Sequence, residues 1–101
     1  METSKKKTVP VIVCAGENGR AVIYGHSDRV PDPGEDVRLN NARMVIRWGN
    51  QCGGLFGLAS NGPGSDTRLT RVVSETTCTV RQALSVSKDA AKKLDDMESF
   101  K

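Results

Sequence analysis

Apolar and polar positions change their period several times along the chain. A β-branched run from Val9 to Cys14 predicts a first strand, with Pro10 suited to its start or to an edge. Glu17-Asn18-Gly19 is a tight-turn signal, and Arg20 to His26 then reads as a second strand, so the two form a hairpin. Ser27 to Glu35 carries Pro31, Asp32, Pro33 and Gly34 and predicts a loop. Asp36 to Asn40 predicts a short third strand, Asn40-Asn41-Ala42 a turn or bulge, and Arg43 to Trp48 a fourth strand.

Gly49 to Gly54 is small and polar. Leu55 to Ala59 predicts one or two helical turns, closed by Asn61, Gly62 and Pro63. Thr67 to Glu75 and Thr76 to Val86 are rich in Val and Thr and predict further strand. Ser87 is placed to N-cap a last helix, whose apolar stripe is Ala90, Leu94 and Met97, with Asp89 and Lys93 as a favourable pair. These elements predict an α+β fold: a small antiparallel β-sheet or half-open barrel of five to six strands, with a short middle helix and a C-terminal helix. Residues 1–7 read as a disordered Lys-rich arm and residues 8–101 as one domain.

Composition adjusts this picture. Of 101 residues, 37% are hydrophobic and 4% aromatic, namely Tyr24, Trp48, Phe56 and Phe100. The core is therefore thin. A chain of this size buries about 60–65% of its unfolded surface, so oligomerisation is a natural supplement. The net charge of +3 comes from Lys5, Lys6 and Lys7, and the near-neutral remainder disfavours a broad duplex-binding surface. No apolar run approaches the ~18–20 residues of a membrane span. No secretory h-region follows the basic start, and a cytoplasmic protein is expected. Cys14, Cys52 and Cys78 are odd in number and widely spaced, which predicts buried free thiols rather than a zinc ribbon or a disulfide scaffold.

Catalytic signatures are nearly absent. His26 is the only histidine, no nucleophile elbow accompanies it, and it reads as a solvated surface residue. Asp32, Glu35 and Asp36 surround Gly34 without EF-hand spacing and read as a polar turn. Gly53-Gly54 lacks the Lys-Ser/Thr pair of a P-loop, and Gly16, Gly19 and Gly25 do not form a dinucleotide fingerprint. The expectation is a binding protein rather than an enzyme, with no cofactor and no metal.

The binding signal lies in Asn40 to Trp48. Strand alternation sends Met44, Ile46 and Trp48 one way and Arg43, Val45 and Arg47 the other. Arg43 and Arg47 on one face would clasp phosphate oxygens, Asn40 and Asn41 would read a base edge or ribose, and Trp48 or Phe56 would stack a base. Opposed to this, Trp48 is read as core, and the arginines as paired with Glu35, Asp36 or Glu75 across strands. Arg68, Arg71 and Arg81 form a second basic set. Arg68 follows the Gly62 to Ser65 loop, and Arg68 and Arg71 are candidate anion ligands, with Asn61 beside them.

Several of these segments together resemble a family of small phage proteins. They are Val11 to Cys14, Gly19 to Gly25, Val37 to Arg43, Ile46 to Trp48, Gly54 to Ala59 and Asn61 to Pro63, within residues 9 to 98. The chain is similar to the Thoeris anti-defence protein one family, whose members sequester cyclic nucleotide signals made by bacterial immune enzymes. The resemblance implies binding of cyclic ADP-ribose isomers, and for some members cyclic oligonucleotides, without cleavage. It also implies a homodimer or a hexamer of dimers, in the cytoplasm of an infected bacterium. Asn41 to Arg43 is the stretch that maps onto the family's pattern, whereas the double glycine Gly53-Gly54 and the shortage of aromatics depart from it. Two other readings compete: a small barrel for single-stranded nucleic acid, and an inhibitor that blocks a host enzyme by surface contact.

Overall fold

The computed structural model describes residues 8–16, 20–49 and 53–99. The Lys-rich arm, the Glu17-Asn18-Gly19 turn and Cys52 lie outside the described residues. Seven elements follow one another: β1 (Val9–Ala15), β2 (Ala21–Ser27), β3 (Asp36–Arg47), α1 (Gly54–Asn61), β4 (Arg68–Leu69), β5 (Val73–Ser85) and α2 (Lys88–Asp96).

The fold is α+β. All strand pairs are antiparallel, in the order β2-β1-β5-β3-β4, and β2 also pairs with β3. That last pairing closes four strands into a barrel and leaves β4 as an extra strand on β3. The expected hairpin is present, with Val9 opposite Ser27 and Ala15 opposite Ala21.

Alternation along each strand divides the apolar residues between two cores. Val11, Val13, Ala15, Ile23, Leu39, Ala42 and Val80 are strand residues only and fill the barrel. Ile12, Cys14, Val22, Tyr24, Val45 and Leu69 leave the other side of the wall and pack with Leu58, Ala90 and Leu94 of the two helices. The helices thus cover the outside of the barrel. No helix among the described residues is long and apolar enough to cross a membrane.

β3 is one strand where two were expected, and the reason is a bulge. Tyr24 pairs with Arg43, and His26 with Asn40, so three steps on β3 oppose two on β2. Asn41, at φ 49, takes up the extra residue in the left-handed region. Gly25 faces the bulge, where a Cβ would come within 3.1 Å of Leu39 Cβ and 3.5 Å of Ala42 Cα. The extra residue changes which face each later side chain takes. Leu39 and Ala42 both point into the barrel, but Arg43 is turned toward the helices with Val45.

The segment Thr67 to Glu75 is strand only at Arg68–Leu69 and from Val73 onward. At Thr70 the ladder is half made: its N–H donates to the Met44 carbonyl at 3.0 Å, while the Met44 N–H goes to the Thr70 hydroxyl at 2.8 Å. The C-terminal helix starts as expected: the Ser87 hydroxyl accepts the Ala90 N–H at 3.1 Å and donates to the Ser60 carbonyl at 2.8 Å, which ties α2 to α1. α1 ends at Gly62, whose N–H reaches the Leu58 carbonyl at 3.0 Å with φ 91.

Candidate functional site

The bulge at Asn41 organises the surroundings of the predicted binding residues. Arg43, next but one along the strand, is only 2% exposed. Its Nε donates to the Thr70 carbonyl at 2.8 Å, and one Nη donates to the carbonyls of Leu94 at 2.8 Å and Met97 at 2.6 Å. Burial pulls its pKa down, and the nearby Asp95 carboxylate opposes that shift. This corrects two expectations. Arg43 does not share an open face with Arg47, and it is not paired with Glu35, Asp36 or Glu75. It fastens β3 to the end of α2, which covers the side of the strand that Arg43 shares with Val45.

Beside it lies a cluster that the residue pattern did not reveal. The Tyr24 hydroxyl donates to Asp95 Oδ1 at 2.9 Å and approaches the Ala91 carbonyl at 3.2 Å. His26 Nε2 sits 3.1 Å from the same Asp95 oxygen and 3.4 Å from the Tyr24 hydroxyl. His26 is therefore not the solvated surface residue expected; its side chain is 20% exposed and reaches across to α2. The available signal was the i, i+2 spacing of Tyr24 and His26, which places both on the helix-covered side of β2. Burial and the Asp95 hydrogen bond push the Tyr24 hydroxyl far above its usual range, so it stays a neutral phenol. Burial also raises the Cys14 and Cys78 thiols. The cluster supplies fixed donors and acceptors between β2 and α2.

Two hollows open at the bulge. One, of about 590 Å³, is lined by Thr8, His26, Asn40, Asn41, Val72 and Asp95. The other, of about 260 Å³, has an apolar floor of Ile23, Ala42, Met44 and Val73, with Arg43, Thr70, Arg71 and Thr76 around it. Asn40 and Asn41 belong to the first and Ala42 to Met44 to the second, while Val72 stands between Arg71 and Val73 on the facing segment. The hollows are thus neighbours on either side of the same short stretch of backbone. Asn40 and Asn41 are the open amides of the first hollow and Arg71 the open cation of the second, where Arg43 is a buried wall.

The remaining candidates lie elsewhere. Arg47 and Trp48 line a hollow of about 230 Å³ with Ile46 and Gly49, and Arg47 pairs in register with Arg68. Trp48 is exposed and does not serve as core. Asn61 ends α1 on an exposed position and lines none of these hollows. Around Gly34, Arg29 forks onto Glu35 and the Asp32 N–H donates to Glu35 at 2.6 Å, as befits a polar turn. Among the described residues no group of three or more His, Cys, Asp or Glu could hold a metal ion.

Residues 8–94 match the family model described as a domain of unknown function, DUF6948. No curated protein matches the chain, and no solved structure does.

Proposed function

We propose that this chain, which belongs to the DUF6948 family of unknown function, is a binding domain that captures a cyclic nucleotide signal and holds it uncleaved. The observation that supports the reading is a pair of hollows around one bulge, the larger lined by Asn40 and Asn41 and the smaller by Arg71. At about 590 Å³ the larger hollow lies within the ~300–1,000 Å³ usual for small-molecule sites.

Each group has a task that its chemistry fits. The Asn41 and Asn40 amides offer both a donor and an acceptor to a base edge. Asp95 is 42% exposed and accepts a ribose hydroxyl. Arg71, exposed at the rim, pairs with a phosphate. Ile23, Ala42 and Val73 receive an apolar face of the ligand. Arg43 stays in the wall and preorganises it. The neutral Tyr24 and the protonated thiols give no nucleophile to break the ligand. The similarity to phage anti-defence proteins adds the setting: a homodimer or hexamer in an infected bacterium, depleting a signal made by an immune enzyme.

Calorimetric titration with cyclic ADP-ribose isomers and cyclic dinucleotides tests the reading. Binding to at least one, with the ligand recovered intact after heating, supports it. No heat from any of them, or recovery of an opened ring, overturns it.

A further inference from the structure

Beyond the bulge, β3 carries a second arrangement that the cyclic-nucleotide reading does not use. Register sets Arg47 of β3 opposite Arg68 of β4. The ladder is irregular here, with two steps on β3 from Val45 to Arg47 against one on β4, and like charges on partnered residues of neighbouring strands weaken the pairing. β4 is only two residues long, so the fold has little ladder there to offset the repulsion. Among the described residues no carboxylate forms an ion pair with either arginine. One Nη of Arg68 donates to the carbonyls of Ser65 and Thr67, both at 2.8 Å, so its guanidinium is fixed in advance. Arg47 is exposed.

The next residue is Trp48, 40% exposed, with its carbonyl pinned by the Thr67 hydroxyl at 2.7 Å. Ile46, Arg47, Trp48 and Gly49 line the hollow of about 230 Å³. Gly49 has φ +82, and a Cβ there would run into the Asp66 carboxylate, so only glycine lets the chain turn off beside the indole. An anchored backbone, an exposed aromatic ring and a like-charged pair thus sit within one short span.

We infer that Arg47, Arg68 and Trp48 form a second site, which takes a base–phosphate unit. The phosphate lies between the two guanidinium groups and relieves their repulsion. The base stacks on the indole, an interaction open to any base because each has a π-face. A free nucleotide and a short single strand both carry this unit. The near-neutral domain fits one or two such contacts and not a long basic track.

Trp48 is the only tryptophan of the chain, so its fluorescence reports this site alone. The full chain is titrated with oligo(dT), with AMP and with inorganic phosphate, each at two salt concentrations. Quenching by a base-bearing probe and none by phosphate alone is the expected result. Tighter binding of oligo(dT) assigns the site to single strands, and tighter binding of AMP assigns it to nucleotides. Arg47→Ala, at an exposed strand end, weakens the quenching probe about tenfold, as expected for one lost hydrogen bond to a charged group. It also lowers the salt slope for oligo(dT) by about 0.7. Arg71→Ala, at the other site, leaves the quenching unchanged. The inference is overturned if neither base-bearing probe quenches Trp48, if phosphate quenches equally, or if Arg47→Ala binds like the parent. None of these outcomes bears on cyclic-nucleotide binding at the bulge.

Discussion

Tyr24 and Asp95, 71 positions apart in the chain, meet hydroxyl to carboxylate at 2.9 Å. The contact joins β2 to the last turns of α2, and Arg43 makes a parallel tie from β3 to the carbonyls of Leu94 and Met97. Barrel and helix are therefore held by polar bonds as well as by the apolar core between them.

Tyr24→Phe removes the hydroxyl and keeps the ring. It lowers unfolding free energy by about 1–2 kcal/mol in urea titration, the cost of a buried hydrogen bond to a charged acceptor. The same variant changes the alkaline limb. The folded-state pKa of Tyr24 is raised above its ordinary 10.0. Its contribution is thus fully present below that value and is lost as pH rises through the folded pKa. The parent loses stability above about pH 10, and Tyr24→Phe gives a flatter curve there.

Arg43 and Arg71 part in opposite directions. Arg43→Ala leaves three carbonyls without their donor in a buried wall and costs about 3 kcal/mol or more. Arg71→Ala, on an exposed position, stays within about 0.5 kcal/mol of the parent but weakens the cyclic nucleotide by about tenfold. Thermal unfolding and calorimetry on the pair check both halves.

Asn41 tests the bulge. Asn41→Val forces a β-branched side chain to φ 49 and destabilises by about 1–2 kcal/mol. Asn41→Gly holds stability near the parent value because glycine accepts that backbone freely. It still removes the amide, so ligand affinity falls while the melting temperature does not. A parallel fall of both in Asn41→Gly would assign the side chain to the fold.

Glu35 sets an acid-side dependence. The Arg29 fork, and then the Asp32 N–H, hold its carboxyl down to about 2 from an ordinary 4.5. A depressed folded pKa contributes above the unfolded value and is lost as pH falls through the folded one. Melting temperatures of the parent and Arg29→Ala therefore converge between pH 4.5 and about 2. A constant gap across that window would rule out this pair as the source.

Much of the architecture was legible before any coordinates. The hairpin, the Gly62 stop of α1 and the Ser87 cap are local signals, written within a few residues. Between Asp36 and Trp48 the expected turn or bulge at Asn40 to Ala42 is a bulge, so the two expected strands are one, joined by pairing that is long-range. Arg43 was misplaced for a different reason: it does share a side with Val45, as the alternation predicts, but that side is covered by α2 rather than open. Alternation tells which side chains share a face, and only the docking of α2 tells which face is covered. The Tyr24–His26–Asp95 cluster was hidden too: Asp95 is charged and exposed on its own helix, and only the docking of α2 brings it to β2.

Closure of the barrel has a consequence for how the protein behaves at high concentration. Among the described residues β5 meets β3 from Val73 to Thr79 but meets β1 only from Val80 on, so the closure is staggered. The first half of β5 therefore has a strand partner on one side, and β4, at the end of the strand order, is two residues long. A strand border of this kind is where a foreign strand can add. At high concentration the fold is thus most open to strand addition along the start of β5, where Val73 is also exposed.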